Sequence, residues 1–162
     1  MYIIVGLGNP GVEYSRTRHN TGRMATEFMS GKVSGIKIIT PDTFMNKTGV
    51  AVVKVVKSKK AAENLIVLYD DLDLPLGTLK ISYNRSSGGH KGLESIIKAL
   101  KTREFIRIRI GIGKKDDVEK HILGEFKKSE LETLKKVFKC TSEAVQMIVE
   151  DGLERAMNKF NQ

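Results

Sequence analysis

A chain of 162 residues, 40% hydrophobic and with 15 glycines, is long enough to bury a substantial core as one domain and is neither fibrous nor disordered in composition. Its 28 Lys and Arg against 19 Asp and Glu give a net charge of +9, which favours polyanionic partners, nucleic acid foremost, although charge also serves solubility alone. The single cysteine, Cys140, excludes an internal disulfide and fits a reducing compartment, and its helical surroundings predict a core position.

Met1 to Val5 is a short apolar run with no basic leader, and no stretch approaches the ~20 apolar residues of a membrane span, so a soluble cytoplasmic protein is expected. Tyr2 to Val5 reads as a buried strand stopped by Gly6 and Gly8, and Gly6 to Asn20 as a long loop. Thr21, Met24, Ala25 and Phe28 recur at helical spacing, with Gly31 placed to terminate that helix. Ile36 to Thr40 predicts a second strand closed by Pro41, and Leu65 to Tyr69 a third, ending in Asp70-Asp71-Leu72-Asp73. Between them, the valines from Val50 to Val56 favour a strand while the neighbouring lysines suit a helix, and the pattern leaves both open.

Thr78 to Tyr83 predicts a strand, Asn84 to Gly89 a flexible polar loop, and Leu93, Ile96, Ile97 and Leu100 a helix. From Phe105 to Gly113 isoleucines alternate with Arg107 and Arg109, the pattern of a half-exposed strand. Ser129 and Glu132 form a capping-box signature for a helix running through Leu134, Phe138 and Ile148, interrupted at Asp151-Gly152 before a last short turn. Interleaved strands and helices without a linker or repeat predict an α/β fold, a single domain over 1–162 with a twisted, mixed, mostly parallel sheet flanked by helices.

Gly6-Leu7-Gly8-Asn9-Pro10-Gly11 satisfies G-x-G-x-x-G after a strand, yet no helical period follows and Pro10 lacks the amide that a pyrophosphate would want, so a nicotinamide or flavin site is disfavoured. Three histidines and one cysteine, scattered, do not make a zinc site, and no G-x-S-x-G elbow offers a covalent nucleophile. Asn9, His19, Asn46, Asp70 and His90 remain, polar groups at strand ends and in loops, which in an open α/β sheet converge on one crevice. His19 is the natural general base, against the plainer role of a surface or packing histidine, and Asp70 is the carboxylate best placed to orient it. Ser86 to Gly92 fits a phosphate-handling loop or a mere connector, and Arg107, Arg109 and Lys80 fit a phosphate-binding stripe or simple solvent-facing charge.

Gly6 to Gly11, Tyr14, Thr17 to Gly22, Thr43 to Asn46 with Thr48-Gly49, Asp70 to Pro75, Gly88-Gly89-His90 and Arg107 to Gly113 resemble, in order and spacing, the bacterial-type peptidyl-tRNA hydrolases, over nearly the whole chain. The resemblance implies a monomeric, cofactor-free enzyme that hydrolyses the ester of peptidyl-tRNA released from ribosomes. It implies His19 activating water, Asp70 supporting it, and Asn9 and Asn46 positioning substrate or water. It further implies Tyr14 and Met45 lining the peptide channel, His90 and Lys91 near the terminal adenosine, and Lys80, Arg85 and Arg109 on acceptor-stem phosphates.

Two departures stand out. Lys91 replaces the asparagine usual after Gly-Gly-His, losing an acceptor, and only Ser30 to Gly35 link the first helix to the second strand, where relatives carry a longer stretch of sheet. These leave a second possibility, an RNA-binding module of the same fold without hydrolysis.

Overall fold

The computed structural model describes residues 1–161. Five strands, β1 (Tyr2–Gly6), β2 (Ile36–Ile39), β3 (Leu65–Asp71), β4 (Leu79–Tyr83) and β5 (Ile106–Gly111), form one sheet in the order β2-β1-β3-β5-β4. All neighbours are parallel except β4, which runs antiparallel to β5 along one edge. Among the described residues, seven helices surround it: α1 (Thr21–Met29), α2 (Thr48–Val52), α3 (Lys59–Ala62), α4 (Lys91–Leu100), α5 (Val118–Leu123), α6 (Lys128–Asp151) and α7 (Leu153–Phe160).

Strand alternation sorts the apolar residues into two cores. Ile4, Ile66, Leu68 and Ile108 point to the face covered by α1 and α6, whereas Val5, Val67 and Phe105 point to the face covered by α4 and the Val52–Val56 segment. Each fully buried isoleucine or leucine contributes roughly 1.5–3 kcal/mol relative to exposure. The contested Val50 to Val56 stretch is helical through Val52 and then turns, because Gly49 packs directly on α4, its amide 2.8 Å from Ser95 Oγ.

Several expectations need correction. β5 is not half-exposed: all of Ile106–Gly111 is buried, since β3 and β4 flank it and helices or loops cover both faces. Arg107 is wholly buried over the Phe105 ring, its charge 4.3 Å from the centroid, and burial lowers its pKa to about 10. Cys140 is exposed on α6 rather than in the core, because the buried stripe of that helix runs through Val137, Phe138, Thr141 and Ala144. The start of α6 lies at Lys128, where Glu130 accepts the Lys127 amide at 2.7 Å, so the cap is set two residues earlier than Ser129 and Glu132 suggested. The last short turn is an eight-residue helix, α7.

The strand order reverses at β1: the chain goes outward to β2, then crosses to β3 on the other side. Ligands in such sheets bind beyond the carboxyl ends of the strands at that reversal. The carboxyl ends of β1 and β3 carry Gly6 and Asp70-Asp71. Among the described residues, no helix is long and apolar enough to cross a membrane.

Candidate active site

After β1 the chain does not open a helix. It makes two short 3-10 turns, Val12–Tyr14 and Arg18–Asn20, and only then enters α1, which removes the geometry a dinucleotide fingerprint requires. Gly22 in the first turn of α1 lies so near the sheet that a Cβ would stand 2.0 Å from Leu68 O, and one on Gly6 would meet Gly22 O at 2.3 Å. This close approach seats His19 over the end of β3.

There His19 Nδ1 lies 2.8 Å from Asp70 Oδ2, with both side chains buried. The other carboxylate oxygen, Oδ1, is 2.9 Å from His90 Nε2. His90 caps α4, its Nδ1 accepting the amides of Gly92 at 3.1 Å and Leu93 at 3.4 Å. An Nδ1 that accepts carries no proton, so the His90 proton sits on Nε2 and is donated to Asp70. Asp70 is then best served by a second donor, His19 Nδ1–H, which leaves the lone pair of His19 Nε2 unused. The two imidazoles tilt against each other with centroids 4.8 Å apart, and Tyr69 meets His90 edge-on at 5.1 Å.

Burial pushes His19 toward neutrality, but the Asp70 charge and hydrogen bond outweigh it and raise its pKa above 6.5. Burial likewise opposes ionisation of Asp70, yet His90 and His19 hold its carboxyl well below the usual carboxylate range. His19, Asp70 and His90 are also the one group among the described residues whose donor types suit a metal ion, their ligand atoms lying within 4.8 Å of one another. Their facing atoms are already joined as donors and acceptor, and a cation would have to displace the protons on both histidines.

A second cluster flanks His19. Asn9 is clamped by Asn20, its amide donating to Asn20 Oδ1 at 2.9 Å and its carbonyl accepting Asn20 Nδ2 at 3.0 Å. Arg23 gathers the carbonyls of Gly8, Asn9 and Pro41. Asn9 Oδ1 accepts the Met45 amide at 2.8 Å, so its Nδ2 keeps both hydrogens without an acceptor among the described residues. Met45 is buried, with Sδ against Gly92 beside His90. Tyr14 packs edge-on against Phe44, which is itself 55% exposed.

A crevice of about 700 Å³ opens beyond β3, with His19, Asp70 and His90 in its floor, Arg85 and Lys91 on one wall and α5 on the other. Of the residues singled out from sequence, Asn9, Tyr14 and Met45 lie in the flanking cluster rather than in this wall. Asn46 is exposed in the turn after Met45, and its side chain makes no hydrogen bond to another described residue, whereas the Asn9 side chain is held by the Met45 amide. Lys80 is exposed on the edge strand β4.

Arg109 departs most from its expected place. It is 7% exposed and donates through Nε to Asp71 at 2.8 Å and through Nη1 to Ser82 at 3.3 Å, so in this conformation it braces the sheet instead of facing solvent beside Lys80. Sequence reasoning assigned His90 to substrate and missed its bond to Asp70; a histidine just ahead of an amphipathic helix was the one available hint of a capping role. Asn20, Arg23 and α5 were also missed.

A sequence model of the family described as peptidyl-tRNA hydrolase matches residues 3–162. A peptidyl-tRNA hydrolase from Thermoanaerobacter sp. (strain X514) is 44% identical, with 99% of this chain and 100% of that protein covered. One from Thermodesulfovibrio yellowstonii is 41% identical over 99% of each. Among solved structures, the peptidyl-tRNA hydrolase from Acinetobacter baumannii is similar with a TM-score of 0.88 at 29% identity, covering 99% of this chain and 94% of that one. A peptidyl-tRNA hydrolase in complex with N-propanol gives 0.89 at 30% identity, with the same coverage.

Proposed function

The chain belongs to the peptidyl-tRNA hydrolase family of enzymes, and from that premise we propose that it cleaves the ester between a peptide and the terminal ribose of tRNA with water activated at His19 Nε2 and no covalent intermediate. His19 removes a proton from water as the oxygen adds to the ester carbonyl carbon. Asp70 stabilises the resulting imidazolium through Nδ1–H. The tetrahedral oxyanion accepts from Asn9 Nδ2, a donor held in place before substrate arrives. When the intermediate collapses, the carbon–oxygen bond to the ribose breaks and His19 returns its proton to the departing ribose oxygen. A free peptide acid and an unesterified tRNA result.

His90 fixes Asp70 from its other oxygen, so its part in this scheme is to orient the carboxylate. Asn46, exposed in the turn after Met45, serves as a positioning group ordered by substrate. Tyr14 and Met45 border the peptide side. Arg85 and Lys91 offer charge to the last phosphates and terminal adenosine, and Lys80 to the acceptor stem, consistent with the net charge of +9. The enzyme acts as a cytoplasmic monomer without a cofactor.

The observation that carries this proposal is the hydrogen bond that His19 Nδ1–H donates to Asp70, which leaves Nε2 free in a crevice open to solvent. Single-turnover hydrolysis of a purified peptidyl-tRNA tests it, with a fall of about 10²–10⁴ expected for His19→Ala. Equal rates would remove His19 from the mechanism. Undiminished tRNA binding with no product from the wild-type protein would instead select the RNA-binding module.

A further inference from the structure

One wall of the crevice is built from an element that cannot stand alone. α5 has six residues, Val118–Leu123, and a helix of that length is unstable in water without tertiary anchors. Val118, Glu119, Ile122 and Leu123 all face the crevice.

Its anchors are few and specific. At the β5 side, His121 Nε2 lies 3.2 Å from Ile112 O and 3.1 Å from Gly113 O. At the other end, Arg18 Nη1 donates to His121 O at 3.3 Å and the Arg18 amide to Gly124 O at 3.0 Å. The Phe126 amide donates to Arg16 O at 3.2 Å, and Thr17 bridges Glu125, so the strip just before His19 is zipped to the strip just after α5. Arg18 Nη2 pairs with Glu130 Oε1 at 3.2 Å, and its guanidinium lies 5.4 Å over the Phe126 ring. Gly124 makes room for this arrangement, since a Cβ there would stand 2.8 Å from Arg18 Nη1.

We infer that Arg18 is a positioning residue for substrate binding: its forked side chain seats α5 as a wall of the crevice, without touching the reacting atoms. The inference deepens the hydrolase proposal and rests on it. His19 is held by Asp70, not by Arg18, so unseating α5 alters the space for the substrate while the base keeps its partner. Arg18 reaches a helix-end carbonyl and a carboxylate at once, a geometry that a lysine cannot reproduce.

Steady-state hydrolysis of a purified N-blocked aminoacyl-tRNA tests this with Arg18→Ala, Arg18→Lys and His121→Leu, the last cutting the opposite anchor of α5. KM is expected to rise about tenfold in Arg18→Ala, with kcat within about twofold and the pH midpoint of kcat unmoved. Arg18→Lys should recover only part of that loss, and His121→Leu should raise KM in the same manner. A purely structural role for Arg18 predicts the reverse split, because a smaller folded fraction lowers apparent kcat and leaves KM alone; that result, a shifted pH midpoint, or an unchanged KM in His121→Leu would overturn the inference. If Arg18→Ala does not fold, His121→Leu alone decides. His19→Ala judges the base separately, since a flat rate there would end the water-activation scheme while the KM of the Arg18 variants stays measurable.

Discussion

His19 Nδ1 and Asp70 Oδ2 lie 2.8 Å apart, and the same carboxylate holds His90 Nε2 at 2.9 Å through its other oxygen. Asp70 therefore accepts from two rings, of which His90 has no choice of tautomer because amides of α4 already occupy its Nδ1. An amide at position 70 can accept from only one ring. With its oxygen claimed by His90, its NH2 would donate to His19 Nδ1 and drive the His19 proton onto Nε2, blocking the base. Asp70→Asn should thus lower single-turnover hydrolysis by about 10²–10⁴ while remaining folded, in line with tautomer reversal in other His–carboxylate sites. A near-wild-type rate would mean that His19 does not work through Nε2.

Activity and stability should diverge with pH. His19 must be neutral to act, and its pKa is raised above 6.5, so the rate is expected to climb with pH through a midpoint above that value. For stability the sign is opposite: a raised histidine stabilises fully below 6.5, its unfolded value, and that contribution is lost as pH rises through the folded pKa. Asp70, depressed below 3.8, stabilises above that pH and loses its contribution as pH falls through its folded pKa. The pair therefore supports the fold most between about 4 and 6.5. Thermal unfolding across pH, compared with His19→Gln, should show the wild-type advantage shrinking as pH rises above 6.5 while the hydrolysis rate grows. An advantage that grows instead would contradict the raised pKa.

His90 serves two purposes that substitution can separate. His90→Ala removes the cap of α4, worth about 1 kcal/mol, and leaves Asp70 Oδ1 without its donor. His90→Asn restores a good cap but is too short to reach Asp70. Melting temperature should fall in the first variant and largely recover in the second, whereas kcat should fall about tenfold in both. Recovery of kcat along with stability would reduce His90 to a capping residue.

How much of this could be seen in the sequence depended on the range of the contacts involved. β1 and β3 were legible because short apolar runs between glycines or acidic residues have few alternatives, and His19 and Asp70 because both sit at loop or strand ends on the side where α/β sheets bind ligands. α5 was not, since six residues rich in charge carry no period and fold only against Arg18 and the Ile112–Gly113 carbonyls. Arg107 and Arg109 misled for a physical reason: an arginine alternating with isoleucine reads as solvent-facing, but long stems let both lie buried, one over Phe105 and one on Asp71. Cys140 misled in the opposite sense, because one step around a helix separates the buried stripe from its exposed edge.

The approach of α1 to the sheet should tolerate no side chain at Gly22. An added Cβ would stand 2.0 Å from Leu68 O and 2.7 Å from Leu7 N, both backbone atoms of the core that cannot rotate away. Gly22→Ala is expected to cost roughly 3 kcal/mol or more, read as a lowered denaturation midpoint or loss of soluble protein. In any folded fraction, kcat should also fall, because lifting α1 lifts His19 from Asp70. A stable, fully active Gly22→Ala would refute the packing that seats the base.

Asn9 should act in the transition state more than in binding. Its backbone is clamped by Asn20 and Arg23, and its Oδ1 must accept the Met45 amide, which commits Nδ2 as a donor with two free hydrogens. Asn9→Asp keeps the bond to Met45 but replaces that donor with an anionic oxygen, set where the proposed mechanism develops negative charge. We expect kcat to fall about 10²–10³ with KM nearly unchanged, whereas a group that merely holds the ground state would raise KM and spare kcat. Asn9→Ala, which abolishes donor and acceptor together, should lose a similar factor in kcat and in addition loosen the Met45 turn, detectable as faster amide exchange at Met45. If Asn9→Asp changes KM alone, the oxyanion must be met by some other group, and the exposed Asn46 would be the next residue to substitute.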